Sequence, residues 1–329
     1  MVSGRVLVPR ASHVQPRVDV IVNRLAKKLA GETPVLLAIR AAVSKAQGRA
    51  RIHETRSFSD LEAAVRALVE RGTDCVVLAG GDGSYLAGTT ALHRAFGDTL
   101  PTVAFAPGGT VCTVARNWGL RGDEAAYAGR LVRAALAGTT ARTQRPTLRV
   151  RDDRGGDRIG FIFGAGLVAR FFDAYYETEA QGYASAAALV ARIFVGTFTS
   201  GRLAARVLTP SPCSLSVDGV RQGPTAWSLI AASVVRDLGL HMQLLYRAGE
   251  DPGAFHLVAS ALPARQLSPQ VVRVLLGRGL RGAGHVDTLA RELTVELGAE
   301  APTYVLDGER LAARSVTVTA GPILTHAAV

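Results

Sequence analysis

The chain predicts an α/β protein in two parts: a doubly wound, Rossmann-like N-terminal domain over residues 1–140, then an antiparallel, β-rich, sandwich-like domain over 141–311. Three observations carry this. Strand-like runs alternate with segments of helical spacing over the first 140 residues, as in a parallel sheet with crossover helices. Two of those runs end in glycine-rich turns. Beyond Gly138-Thr139-Thr140 the alternation stops and strand-like runs dominate.

In order, strands are expected at 5–8, 34–40, 50–54, 74–79 and 102–106, and helices at 15–30, 59–71, 85–96, 111–118 and 123–137. The run Cys75-Val76-Val77-Leu78-Ala79 is short and wholly apolar, which suits a buried strand. Ser57 or Ser59 can cap the second helix, with Asp60 and Glu62 in its first turn. Gly119 falls where the helix over 111–118 should stop. In the second half, strands are expected at 147–151, 158–163, 203–208, 214–217, 227–235, 241–246 and 255–259. Asp218-Gly219 reads as a two-residue hairpin turn. Helical insertions fall at 168–179, 184–198 and 268–276. The segment 184–198 is too short to span a bilayer and carries Arg192, so it reads as a buried or an interfacial helix.

Composition narrows the function. Of 329 residues, 48% are hydrophobic and 20% charged, which suits a folded domain pair rather than a disordered chain. The start, Met1-Val2-Ser3-Gly4-Arg5, has no long apolar run behind it, so no secretory leader is expected. Cys75, Cys112 and Cys213 show no metal spacing, and the histidines form no HExxH pair, which fits a reducing, cytoplasmic setting without zinc. The net charge of +11 rests on arginine, because Lys27, Lys28 and Lys45 are the only lysines. No lysine follows either glycine turn, so a Walker-type phosphate loop is excluded there. No nucleic-acid motif accompanies the charge. Attraction to an anionic membrane surface or a simple arginine bias accounts for it.

The chemistry concentrates at the two turns. Gly80-Gly81-Asp82-Gly83-Ser84 follows one apolar run, and Pro107-Gly108-Gly109-Thr110 follows the next. A strand running through glycines into a helix brings free backbone N–H groups to an anion. Asp82 supplies a carboxylate suited to Mg²⁺ beside a polyphosphate. In a parallel sheet both turns lie at the same edge, where open α/β sheets bind ligands.

These turns, followed by Ala115-Arg116 and by Asp307-Gly308-Glu309 after the strand-like Thr303-Tyr304-Val305-Leu306, resemble the diacylglycerol kinase catalytic-domain family. That family includes bacterial lipid kinases and sphingosine and ceramide kinases, and is related to NAD kinases and phosphofructokinases. Its motifs are GGDGT, P-x-G-T-x-N-x-x-A-R and D-G-E. This chain departs at Cys112 for the asparagine, at Leu86-Ala87 for a usual Asn-Glu pair, at Val8-Pro9-Arg10-Ala11-Ser12 for the opening N-P-x-S-G, and at Asp251-Pro252-Gly253 for an Asp-Asp-Gly that helps hold structural Mg²⁺ in some bacterial members.

The resemblance implies an ATP- and Mg²⁺-dependent kinase acting on a hydroxyl of diacylglycerol or a similar lipid, with sphingoid bases and ceramide as alternatives. It implies two domains with the active site in the cleft between them, and a C-terminal segment, about 312–329 with a strand at 315–319, that returns to the first domain. Phosphates would rest on Gly80, Gly81, Asp82, Gly83, Ser84, Gly108, Gly109 and Thr110, with Thr55 at the nucleotide and Mg²⁺ on Asp82. Asp307 would accept the proton of the lipid hydroxyl, with Glu309 beside it. Each has a plainer reading: Asp307-Gly308 as a hairpin turn, Thr110 as a helix cap, Thr55 as a strand-end residue and Arg116 as half of a surface pair. The partner expected is a lipid at the membrane surface, reached without a transmembrane segment; a homodimer fits equally. A sugar-phosphate kinase would need a T-I-D-N-D segment that is absent, and NAD kinase its Asn-Glu pair. From another class, a nucleotide- or lipid-binding protein without catalysis is the rival.

Overall fold

A computed structural model describes residues 15–97, 99–177, 183–199, 201–298 and 302–329. The chain divides into two compact units, one of residues 1–145 with 322–329 and one of residues 146–321.

The first unit is a six-stranded sheet. Its strands are β1 (Val18–Asn23), β2 (Ala50–Thr55), β3 (Cys75–Gly80), β4 (Thr102–Pro107), β5 (Ala141–Arg145) and the C-terminal β19 (Leu324–Ala328). The order is β2-β1-β3-β4-β19-β5, parallel throughout except for β5, which runs antiparallel to β19. Helices α1 (Pro34–Ser44), α2 (Phe58–Arg71), α3 (Asp82–Phe96), α4 (Thr113–Asn117) and α5 (Glu124–Ala137) connect the strands. Strand β1 is followed by β2 on one side of it and by β3 on the other, so the topological switch point falls between β1 and β3.

Several local expectations hold. Ser57 caps α2 by accepting the Asp60 N–H at 3.1 Å, and Gly72 closes that helix in the left-handed conformation. Others are overturned. The segment expected as a helix over 15–30 contains β1 instead. Val18, Val22, Leu25 and Leu29 do fall at helical spacing, but the β-branched run Val20-Ile21-Val22 goes into the sheet between β2 and β3 with all three residues buried. The expected strand at 34–40 is α1: Thr33 is its N-cap and Pro34 its first residue, where proline's missing N–H costs nothing. The strand expected at 5–8 and the opening motif placed at 8–12 lie outside the described residues.

The second unit holds two antiparallel sheets. Its strands are β6 (Leu148–Asp152), β7 (Asp157–Gly160), β8 (Ile162–Gly166), β9 (Ser211–Val217), β10 (Val220–Arg221), β11 (Ala226–Trp227), β12 (Leu229–Ser233) and β13 (Phe255–Ser260). The remainder are β14 (His285–Ala290), β15 (Glu292–Leu297), β16 (Thr303–Leu306), β17 (Glu309–Ala312) and β18 (Ser315–Ala320). One sheet runs β10-β9-β15-β18-β6-β7, with β11 also on β9, and the other runs β14-β13-β12-β8-β16-β17. The helices are α6 (Leu167–Tyr176), α7 (Tyr183–Phe198), α8 (Arg202–Leu208), α9 (Ala264–Leu267) and α10 (Val271–Leu275).

Here too some expectations fail. Residues 203–208 lie in α8, whose Ala204, Val207 and Leu208 pack against α6 and α7. Residues 241–246 form turns, and Leu244 and Leu245 fill a core cluster from irregular backbone. Strand β18, expected to return to the first domain, pairs with β6 and β15 inside this unit; β19 is the strand that returns. Among the described residues no single helix is long and apolar enough to cross a membrane.

Candidate active site

The parallel register aligns the ends of four strands. Asn23 lies beside Thr55, Val22 beside Ala79, and Gly80 beside Pro107, so the segments leaving β1, β3 and β4 emerge together at the switch point. Aromatic stacking anchors this edge from below. The Tyr85 ring, in the first turn of α3, stacks on Phe105 of β4 at 4.4 Å, and its hydroxyl donates to the Ala106 carbonyl at 2.9 Å.

The two glycine turns meet each other. The Gly80 carbonyl accepts the N–H groups of Gly108 at 2.7 Å and Gly109 at 3.1 Å. A Cβ on Gly109 would lie 2.6 Å from the Gly81 Cα, and one on Gly108 would lie 2.3 Å from a Leu29 methyl. None of the glycines at 80, 81, 108 and 109 has positive φ, so close approach rather than a left-handed backbone requires them. This corrects one expectation: the amides of Gly108 and Gly109 are spent on Gly80 and do not face a phosphate. Asp82 and Gly83, the first two residues of α3, have N–H groups without an acceptor among the described residues, as does the exposed Thr110.

The loop after β1 completes the cluster, and reading the sequence alone missed it. Asn23 donates from Nδ2 to the Ser84 hydroxyl at 2.9 Å while accepting the Leu25 N–H at 2.9 Å. Ser84 also accepts the Gly81 N–H at 3.3 Å, and the Lys28 N–H donates to the Gly108 carbonyl at 2.9 Å. Two of the three lysines therefore belong to a loop at this edge. The β-branched composition of 18–22, ending in an asparagine, was the signal available.

Asp82 does not offer an open metal ligand. Its two carboxylate oxygens accept the N–H groups of Thr113 at 2.9 Å and Val114 at 3.0 Å, which ties the start of α3 to the start of α4. Burial pushes the carboxyl above the usual carboxylate range, against the pull of the two amides. No group of three or more His, Cys, Asp or Glu side chains that could hold a metal occurs among the described residues. A protein-built Mg²⁺ site at Asp82 therefore does not fit these residues.

Other candidates are also committed elsewhere. Thr55 is buried and its hydroxyl donates to the Val22 carbonyl at 3.3 Å, the strand-end role. Arg116 donates to the Val111 carbonyl and pairs with Glu124 at 2.9 Å, so it is a surface pair. Thr110 precedes α4 by three residues and is not its cap; Cys112 is, with φ +53° and its thiol facing the Gly80 carbonyl at 3.5 Å.

Asp307 lies in the second unit, in the two-residue turn between β16 and β17. Both central residues have positive φ, Asp307 at 50° and Gly308 at 87°, the signature of a type I′ hairpin. Its buried carboxylate accepts the N–H of Phe161 at 3.0 and 3.1 Å and that of Ile162 at 2.8 Å. Phe161 is the single residue between β7 of one sheet and β8 of the other, so Asp307 pins the point where the chain changes sheets. Asp218 does the same. Its Oδ1 accepts the N–H groups of Arg291 at 2.9 Å and Glu292 at 2.8 Å, where the chain passes from β14 to β15. Glu309 begins β17 and is exposed.

Comparison with known proteins agrees with this architecture. Residues 17–142 match the family model of the diacylglycerol kinase catalytic domain, which upholds the resemblance over that stretch. A diacylglycerol kinase structure from Bacillus anthracis str. Sterne superposes with a TM-score of 0.64 at 16% identity, covering 95% of this chain and 97% of that one. Yeast NADH kinase in complex with NADH superposes with a TM-score of 0.52 at 10% identity, covering 96% and 84%. At these identities the likeness is one of fold. No curated protein matches the sequence.

Proposed function

We propose that the protein is a lipid kinase that transfers the γ-phosphoryl group of ATP to a lipid hydroxyl. The observation that carries this is the catalytic-domain match over 17–142, which coincides with the unit whose switch-point edge presents free amides at Asp82, Gly83 and Thr110. The amides of Asp82 and Gly83, at the positive end of the α3 dipole, and that of Thr110 in the loop after β4 suit the phosphates of the donor. Phosphoryl transfer asks the protein mainly for positioning and charge stabilisation, so a rigid cradle is the part the chain must build. Asn23, Ser84 and Asp82 act as positioning residues, locking the three loops together. Asp307 is the proposed acceptor of the hydroxyl proton. A lipid acceptor implies work at a membrane surface, and α7 suits it: Val195 and Phe198 are 58% and 60% exposed on a helix that also exposes Arg192.

One observation favours a second reading, a nucleotide- or lipid-binding protein without catalysis. Asp82 and Asp307 are both engaged by backbone amides. The test is transfer of labelled phosphate from ATP to diacylglycerol, ceramide and sphingoid bases in mixed micelles, with fructose 6-phosphate and NAD as controls. Labelled lipid is the expected outcome. ATP binding without transfer to any acceptor would leave the binding reading in place, and labelled NAD or sugar would replace the lipid.

A further inference from the structure

Helix α6 carries Arg170, Asp173 and Tyr176 at three-residue spacing, one face of a helix, with Glu177 at its end. Together with Arg206 of α8 and Arg310 of β17 they line a cleft of about 410 Å³ within the second unit. Three guanidinium groups face two carboxylates. Arg206 holds both oxygens of Glu177, at 3.2 and 2.7 Å. Arg310 lies 2.8 Å from Asp173 Oδ1, an ion contact whose geometry does not make a hydrogen bond. Arg170 has no carboxylate within ion-pair distance among the described residues. Its guanidinium is held by two neutral acceptors, the Arg206 carbonyl at 3.1 Å and the Ser211 hydroxyl. Burial also pulls its pKa below the ordinary arginine value.

A half-buried charge whose neighbouring carboxylate, Asp173, acts on it only from beyond ion-pair distance is incompletely compensated, and this one is kept in place by two donated hydrogen bonds. An oxyanion in the cleft would complete the compensation. Guanidinium groups match oxyanions with paired donors, and a phosphate has enough oxygens to engage Arg170 together with the more exposed Arg206 and Arg310. The cleft also touches the Asp307 turn, because Tyr176 donates from its hydroxyl to the Gly308 carbonyl at 3.0 Å and Arg310 lies two residues after Gly308. We propose that this cleft is a phosphate-ester site, seated by Arg170 and closed by Arg206 and Arg310, which reads an anionic lipid headgroup or a free phosphate. Anion binding here does not rest on the kinase reading. If that reading also holds, the site favours a lipid presented with phosphate-bearing neighbours or carrying a phosphate itself.

The test is calorimetric titration of the full chain, without nucleotide or Mg²⁺. Inorganic phosphate, dihexanoyl phosphatidic acid and neutral dihexanoylglycerol serve as probes. Both anions should bind and the neutral lipid should not compete. Arg170→Gln should weaken anion binding at least tenfold, whereas Arg202→Gln, an exposed arginine outside the cleft, should leave it unchanged. If Arg170→Gln fails to fold, Arg310→Gln at the open rim should give the same loss. Binding of phosphate alone would keep the site and assign it to free phosphate. Anion binding that survives both substitutions, or no binding at millimolar probe, would overturn the proposal. Turnover is not read, so failure here leaves the kinase assay to stand on its own.

Discussion

At the scale of single residues, the aspartates expected to do chemistry also hold backbone together. Asp307 and Asp218 sit in like turns, and each carboxylate accepts the N–H groups of two consecutive residues where the chain changes sheets. The difference is exposure: Asp307 is buried and Asp218 exposed. An asparagine keeps one acceptor oxygen and loses the charge. Asp307→Asn and Asp218→Asn should therefore each lower stability, by about 1–3 kcal/mol where charged acceptors are lost. Only Asp307→Asn should also reduce turnover, roughly 10²–10⁴-fold, with ATP affinity unchanged. Urea denaturation and steady-state kinetics on both variants check this. Equal turnover in the two would assign Asp307 to structure alone. Cys112 gives a second residue-level test. It holds the left-handed conformation that asparagine tolerates better than most other non-glycine residues, at the position where the family motif has asparagine. Cys112→Asn should leave the fold intact and be neutral to stabilising in denaturant melts; a loss above about 2 kcal/mol would show that the buried thiol's packing outweighs the backbone strain.

At the scale of elements, the site is a stack of three loops, each pinned to the next through backbone atoms. That is why the glycines were legible and their purpose was not. A run of glycines after a strand signals close approach, but the sequence does not say whether a ligand or another turn comes close. Here the approaching group is the other turn. Helices with a polar cap and a glycine stop, such as α2, were readable because those signals are local. Strand β1 was not, since a short apolar run fits both periods until the sheet chooses. Gly109→Ala tests the stack. Its Cβ would press on backbone atoms of Gly81 at 2.6 and 3.2 Å, and backbone cannot swing aside as a side chain can. We expect a cost of about 1–3 kcal/mol, typical of overpacking, and weaker ATP binding as the α3 start is displaced. Gly122→Ala, at an open position with φ +69°, should lower stability without touching ATP affinity. Unchanged ATP affinity in Gly109→Ala would separate the stack from the nucleotide.

At the scale of the molecule, the chain leaves the first unit at β5 and re-enters it at its end, so the six-stranded sheet is completed last. Strand β19 lies between β4 and β5. No local pattern announces this: residues 324–328 mix a leucine, a threonine and a histidine with two alanines, and the sheet position is what buries Leu324, His326 and Ala327. His326 shows what that position demands. It is buried, its ring meets Trp118 edge-on at 5.1 Å and Phe105 at 5.4 Å, and Nε2 has no hydrogen-bond partner among the described residues. Burial, and then the charge of Arg145, push its pKa down to about 3 from an ordinary 6.5. In the folded state the ring stays neutral as the solution acidifies, while in the unfolded state it takes up a proton below 6.5. Protons thus bind the unfolded chain preferentially between those two values, and stability must fall as pH drops through that window. His326→Phe keeps an aromatic ring against Phe105 and Trp118 and removes the titrating group. Its urea midpoint should decline less than the wild type's between pH 7 and pH 4, with the two curves converging toward parallel above pH 7. Parallel decline across the acidic range would mean that other groups, and not the histidine on the returning strand, set the acid sensitivity of the sheet.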